Sequence, residues 1–334
     1  MLREVLIEDE FLRDGLQNEA RVFALEEKLR FIEALELAGL RRIQVGSFVH
    51  PKWVPQMADT DALCERMVRK PGVTYTALVL NAAGLDRALD VGLEHLSISL
   101  SASETHSRKN TNRGVDDSKA ALVPVIARAL EAGVVLRAGI QSALGCGFEG
   151  WIDQRRVIGL ARDFAALGVQ EINIADTAGL ANPRQVYDLC RRLSQEIGPG
   201  VALSLHLHDT RGLGLANMVA GLQAGVRIFD ASLGGLGGCP FVPGATGNIA
   251  TEDAAFACAE MGLATGIDWQ GLAVPVRWAE DLLGRSLPGR VSHVPPPPPS
   301  LERNDHGASL FPGLSDGARG DPAGTDLDRR PRWL

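Results

Sequence analysis

The sequence predicts an α/β chain folded as a (β/α)8 TIM barrel, with an extra C-terminal helix and a Pro-rich tail. Three observations carry this expectation. Eight short β-rich runs recur, each followed by a longer stretch with apolar residues at helical spacing. The runs are mostly apolar with little strict alternation, as parallel strands covered on the outside should be. The helical stretches repeatedly end on a glycine just before the next strand. Eight such units favour a closed barrel over an open doubly wound sheet. The chain has 334 residues, 45% of them hydrophobic, enough for a barrel of roughly 250 residues with additions.

In chain order the strands are read as EVLIED (4–9), RRIQVGS (41–47), VTYTALV (73–79), HLSISLS (95–101), VVLRAGIQ (134–141), QEINIAD (170–176), VALSLHLH (201–208) and RIFDASL (227–233). The first clear helix covers 24–38, with Leu25, Leu29 and Ile32 on one face and Gly39 as its stop. Others cover 116–132, 153–167 (ending at Gly168) and 213–224 (ending at Gly225). A Gly-rich loop at 234–248 follows the eighth strand, then helices near 249–263 and 268–284, the last outside the barrel. The composition changes at Pro295, where a proline run gives way to polar residues with few large apolar ones. The expected domains are a catalytic barrel over 1–290 and a Pro-rich, disordered tail over 291–334.

Composition excludes several function classes. The formal net charge is −7 and no basic run or stripe occurs, so no nucleic-acid partner is expected. No apolar run approaches the roughly 20 residues that span a bilayer, so no membrane partner is expected either. The N-terminal residues are acidic where a signal peptide needs an apolar stretch. Five widely spaced cysteines show no CxxC or zinc pattern. A reducing cytoplasm is the expected setting, with Cys64, Cys146, Cys190 and Cys258 as small buried hydrophobes.

Chemistry in such barrels sits at the C-terminal ends of the strands. The first strand leads to Arg13 and Asp14, the seventh carries His206-Leu207-His208, and the eighth leads to a loop ending in Asn248. Strand side chains alternate, so His206 and His208 face the same way and Leu207 faces the helices. Two imidazoles at a barrel mouth can hold one divalent cation, to which Asp14 would add charge and Asn248 a neutral oxygen. Asp209 is out of phase with the histidines and is read as a support for the start of the next helix.

Four longer motifs give these residues a context: LRDGLQNE (12–19), SFVHPKWVPQMAD (47–59), HLHDTRGLGLAN (206–217) and GGLGGCPFVPGATGNIATED (234–253). Together, over about residues 5–285, they resemble hydroxymethylglutaryl-CoA lyase, a member of the metal-dependent TIM-barrel lyases related to Claisen-type synthases. The resemblance implies that Arg13 stabilises a substrate oxygen and that Asp14, His206, His208 and Asn248 bind the metal. Cys239 would be catalytic. The cofactor would be Mg²⁺ or Mn²⁺ and the substrate an acyl-CoA, and a homodimer fits the architecture. Gln44, Ser47 and Asn81 are further candidates for substrate contact, Asn81 equally for a helix N-cap, and Arg21, Lys52, Arg285 and Arg290 for the phosphates of coenzyme A. The sequence departs from the pattern at Gln44, where such lyases usually carry Glu, at Gly147-Phe148 in place of a Pro-Tyr pair, and at Ala20 in place of a lysine.

The implied reaction cleaves a 3-hydroxy-3-methylglutaryl-CoA-like thioester into acetyl-CoA and a keto acid, acetoacetate. Arg13 would face the thioester oxygen as charge develops there, and Cys239 would return a proton to the enolate. A metal-bound water, Asp14 and His206 all remain open as the base for the hydroxyl. Alternatives are a lyase for another 3-hydroxyacyl-CoA, such as citramalyl-CoA, and a Claisen-condensing acyltransferase of the same superfamily. The latter should carry a long C-terminal regulatory domain. A non-catalytic binding protein is the third, opposed by the intact residue set.

Overall fold

The computed structural model describes residues 4–238 and 247–295. Cys239 and the tail from Pro296 onward lie outside the described residues. Eight parallel strands close on themselves in sequence order: β1 (Leu6–Asp9), β2 (Arg42–Ser47), β3 (Thr74–Leu78), β4 (His95–Ser101), β5 (Val135–Gln141), β6 (Glu171–Asp176), β7 (Ala202–Leu207) and β8 (Ile228–Ala231). All eight expected strands are present. The outer layer is α1 (Leu25–Leu37), α2 (Thr60–Arg66), α3 (Ala82–Asp90), α4 (Glu104–Thr111), α5 (Val115–Glu131), α6 (Gln154–Ala166), α7 (Pro183–Glu196) and α8 (Gly214–Ala224). Then come α9 (Thr251–Glu260) and the extra helix α10 (Ala273–Leu283). The described part is therefore the expected (β/α)8 barrel.

Local chemistry explains the joints. Gly39, Gly168 and Gly225 follow their helices at φ of 90°, 90° and 103°, the left-handed region where a side chain is strained. Helix α7 starts on an Asn182–Gln185 capping box with Pro183 in its first turn. No helix among the described residues is long and apolar enough to cross a membrane. Cys64, Cys146, Cys190 and Cys258 are buried free thiols, as expected.

The apolar core lies between strands and helices, built from residues such as Val45, Ile98, Ile174, Leu205 and Leu207, each at most 1% exposed. Inside the barrel the picture reverses. The inward positions carry Glu8, Gln44, Thr76, Arg137, Asn173, Ser204, His206 and Asp230, all buried. Barrel interiors are more often filled with branched apolar side chains. A polar interior is stable only if its groups satisfy one another.

Candidate metal centre

The centre begins at the end of β1. After Asp9 the chain tightens into a π-helical turn over Phe11–Gly15, with Leu16 N–H donating to Phe11 O at 2.9 Å. Phe11 anchors it from outside, packed against Phe31 and Phe23 with ring centroids 4.7 and 6.3 Å apart. Single π-turns often mark functional sites because they redirect side chains from a helical path. Here the turn sends Arg13 and Asp14 back over the barrel mouth.

Asp14 meets the two histidines of β7 there. Its Oδ2 lies 3.9 Å from His206 Nε2 and 3.6 Å from His208 Nε2, and the two Nε2 atoms face each other at 3.0 Å. Ligand atoms of Asp14, His206 and His208 all fall within 4.8 Å of one another, and all three residues are buried. Asn248 joins them because its segment pairs with the continuation of β7. Asp209 N–H donates to Gly247 O and Ile249 N–H to Leu207 O, both at 3.0 Å. Its Nδ2 donates to Asp14 Oδ2 at 2.8 Å. Its Oδ1 is buried without a hydrogen-bond partner.

These features fit a divalent cation. Two imidazole nitrogens, a carboxylate and an orphaned amide oxygen converge, the mixed nitrogen and oxygen donor set suited to such an ion. Close approach is built in: a Cβ at Gly237 would sit 2.6 Å from Asn248 Nδ2 and 3.2 Å from Asp14 Oδ2. The second layer is also in place. His206 Nδ1 faces Asp230 Oδ2 at 3.2 Å and Glu10 Oε2 at 3.4 Å. A carboxylate there fixes the proton on Nδ1 and leaves Nε2 free to ligate.

Electrostatics reinforce the fit. Arg137 Nη1 donates to Glu8 at 3.0 Å and to Asp230 at 2.7 Å, and its Nη2 donates to Glu10 at 2.8 Å. Arg42 pairs with Glu171 at 2.8 Å and with Glu8 at 3.4 Å. The Arg13 guanidinium is held by Glu10, Asp14 and the amide oxygen of Gln44. This connected cluster has five carboxylates (Glu8, Glu10, Asp14, Glu171, Asp230) and three guanidinium groups. The excess of two negative charges is what one divalent ion would neutralise. Burial alone would raise Asp14, but Arg13 and the two imidazoles outweigh it and hold the carboxyl well below its usual range. Burial alone would lower His206, but Asp230 and Glu10 overcome it and lift the imidazole to about 10. A proton on His206 offsets one of the two excess carboxylate charges in the metal-free cluster, where a bound cation would put its own charge.

Residues 4–274 match the model of the HMGL-like family. The hydroxymethylglutaryl-CoA lyase YngG of Bacillus subtilis is 41% identical over 292 residues, covering 87% of this chain and 97% of that protein. The chain belongs to the HMGL-like family. An (R)-citramalyl-CoA lyase of Chloroflexus aurantiacus is 39% identical over 310 residues, covering 90% of this chain and 98% of its own. The solved structure of an HMG-CoA lyase from Acinetobacter baumannii, in complex with coenzyme A and 3-methylmalate, has a TM-score of 0.82 at 37% identity. It covers 88% of this chain and 98% of that one.

As an HMGL-like protein, the chain brings Arg13, Asp14, His206, His208 and Asn248 to one place, as the sequence suggested. Asp209 accepts from Gly214 N–H at 2.7 Å and so supports the start of α8. Gln44 is fully buried. Its Nε2 donates to Glu8 Oε1 at 3.2 Å while its oxygen accepts from Arg13, so it reaches Arg13 rather than the open mouth. Ser47 donates to Leu78 O at 3.3 Å, after a bulge between Gln44 and Gly46. Asn81 is exposed and caps α3, accepting from Gly84 N–H at 2.9 Å. Arg285 pairs with Glu19 at 2.6 Å and Arg21 with Glu27 at 2.6 Å, while Lys52 is exposed. Arg290 is tied by its backbone N–H to Asp253 at 3.0 Å.

Sequence reasoning missed Glu10, Arg137 and Asp230. A signal was present. Each is a charge within or just after a strand already read as barrel β: Arg137 is the one charge in its run, and Glu10 shares the phase of Glu8. A charged side chain facing the apolar layer between strand and helix needs a dedicated polar partner there, as Asp9 has in Thr251, so the axis is the default direction for such a charge.

Proposed function

We propose that this protein is a divalent-metal-dependent carbon–carbon lyase that cleaves a 3-hydroxy-3-methylglutaryl-CoA-like thioester to acetyl-CoA and acetoacetate. The observation that carries this reading is the convergence of Asp14, His206, His208 and Asn248 beside Arg13, in a chain 41% identical to a hydroxymethylglutaryl-CoA lyase. Mg²⁺ or Mn²⁺ suits the two oxygen donors. When bound, such an ion acidifies a coordinated hydroxyl and steadies the alkoxide.

The protein's own residues do the rest. Arg13, fixed on three sides, presents its remaining N–H groups to the thioester oxygen, where negative charge grows as the C2–C3 bond breaks. Its pKa is raised by Glu10 and Asp14 against the lowering effect of burial, so it stays charged throughout. Cys239, in the glycine-rich loop, is assigned proton return to the enolate carbon.

One relative acts on citramalyl-CoA, and Gln44 departs from the lyase pattern, so the second reading is lysis of that shorter thioester. Purified protein with Mg²⁺ or Mn²⁺ should be assayed for acetyl-CoA release from both thioesters. Turnover of the methylglutaryl thioester, lost together with metal binding in His208→Ala, is expected. A preference for citramalyl-CoA selects the second reading. No release from either, by protein that binds Mn²⁺, refutes both.

A further inference from the structure

Glu10 lies between the two working parts of the site, outside the Asp14–His206–His208 group, on the Nδ1 side of His206 where it forms a second buried carboxylate–imidazole group with Asp230. Its Oε2 accepts from Arg13 Nη2 and lies 3.4 Å from His206 Nδ1, and its Oε1 accepts from Arg137 at 2.8 Å. It is fully buried. Across Arg13 stands Gln44, whose oxygen accepts from Arg13 Nε while its amide donates to Glu8 at 3.2 Å. A carboxylate at position 44 would lose that donor and set an anion against Glu8. The carboxylate excess of the cluster would then rise from two to three, and neutralising Glu10 would reduce it to one.

We infer that Glu10 is a positioning residue of this centre, an anion behind the ligand set that braces Arg13 and backs His206 on its Nδ1 side, and that position 44 must be neutral because Glu10 is charged. The inference rests on the lyase reading for its consequence in turnover, but not for its consequence in metal binding. Glu10 holds Arg13 from the Nη2 side and Gln44 from the Nε side, so the guanidinium cannot swing. Glu10 shares the support of His206 Nδ1 with Asp230, whose Oδ2 faces it at 3.2 Å, and loss of a carboxylate behind a ligating imidazole typically costs about 10–100-fold in metal affinity or activity. The two positions are thus coupled through charge: the excess of two is preserved if the carboxylate is moved from 10 to 44.

The test uses the full chain as Glu10→Gln, Glu10→Asp, Gln44→Glu and the double variant Glu10→Gln/Gln44→Glu. Mn²⁺ affinity is measured by electron paramagnetic resonance of the free ion, thermal unfolding without metal by circular dichroism, and thioester cleavage in parallel. Glu10→Gln should bind Mn²⁺ about tenfold or more weakly, and its kcat should fall far more than its KM rises. Glu10→Asp, which keeps the charge, should bind Mn²⁺ within about threefold of the parent, by the same yardstick. Gln44→Glu should unfold at a lower temperature without metal. The double variant should be more heat-stable than Gln44→Glu and turn over faster than either single variant. Unchanged Mn²⁺ affinity in Glu10→Gln overturns the inference. So does an equal loss in Glu10→Asp, which would make shape rather than charge the requirement, or a double variant worse than both singles. If the parent binds Mn²⁺ but cleaves no thioester, the lyase reading fails, and the Mn²⁺ and unfolding measurements still decide the role of Glu10.

Discussion

Replacing Arg137 by methionine tests whether the polar interior is held together by charge. The side chain is almost fully buried and donates to Glu8, Glu10 and Asp230 at 2.7–3.0 Å, and to Ser97 Oγ at 3.0 Å. Methionine keeps much of the volume but none of the donors. Three carboxylates lose a shared partner and the excess negative charge rises from two to three. Removing one partner of a buried ion pair costs about 3–5 kcal/mol, and several carboxylates are stranded here, so the upper end is expected. At about 2–3 °C per kcal/mol for a large domain, the unfolding midpoint should fall by about 10 °C near neutral pH. Burial and Glu10 push Asp230 up to about 6 despite the opposing pull of Arg137. At pH 5 that group is largely protonated and is no longer an unpaired anion, so the gap should narrow. Calorimetry of both proteins at pH 7.5 and pH 5 measures this. A midpoint within about 2 °C of the parent at pH 7.5, or a gap that widens on acidification, would refute the charge-balance argument.

Asp9 faces away from the axis, accepting from Phe11 N–H at 3.0 Å and Thr251 Oγ1–H at 2.6 Å, and burial pushes its carboxyl from 3.8 up to about 7. A raised folded-state pKa gives stability that is complete below about 4 and lost as pH rises to about 7, on the order of 4 kcal/mol in all. Asp9→Asn, whose amide keeps one acceptor and can donate to Thr251, should therefore gain on the parent from pH 5 to pH 8 in unfolding midpoint, and a constant difference contradicts it. Gly237→Ala should weaken Mn²⁺ binding by at least about tenfold while leaving the fold intact, because its Cβ meets Asn248 and Asp14. Isothermal titration checks this, and parental affinity would mean that those two side chains are not ligands. Cys239→Ser should retain Mn²⁺ and lose most turnover, and a normal rate would remove the assignment of proton return to that thiol.

The barrel and most of its centre were legible because they depend on periodicity and on short motifs. All eight strands followed from apolar runs punctuated by glycine, and His206 and His208 followed from alternation alone. Four helices lacked an explicit expectation. Helices α2, α3 and α4 are only seven to nine residues long, so a 3.6-residue repeat has little room to declare itself. The fourth, α7, had a readable signal that went unused: Val186, Leu189, Cys190 and Leu193 recur at helical spacing behind an Asn182–Gln185 capping box. The partners of Arg13 were not legible, because they come from three elements. Glu10 precedes the π-turn, Gln44 lies on β2 and Asp14 within the turn, and spacing along the chain does not report a distance between strands. Asn81 shows the converse: its position after β3 suited a substrate contact and a helix N-cap equally, and its side chain caps α3.

The polar interior also bears on substrate choice. An interior of branched apolar side chains would leave Arg13 with only Asp14 and the mouth residues for partners, and a guanidinium so held could follow substrates of different length. Here it is braced from below by Glu10, itself braced by Arg137 of β5, which in turn spans the barrel interior to Glu8 on β1 and Asp230 on β8. Each link is buried and charged, so shifting Arg13 would break contacts that cost several kcal/mol to leave unpaired. The distance from Arg13 to the His206–His208 pair is therefore a property of the barrel rather than of the loop. That distance must match the separation between the thioester oxygen and the C3 hydroxyl, which is the same in the methylglutaryl and citramalyl thioesters. Discrimination between them must then come from what contacts the C3 substituents, not from the charged frame. Variants of Arg137 or Glu10 should accordingly lower kcat for both thioesters in the same proportion, and a changed preference between them would show that the frame itself reads the substrate.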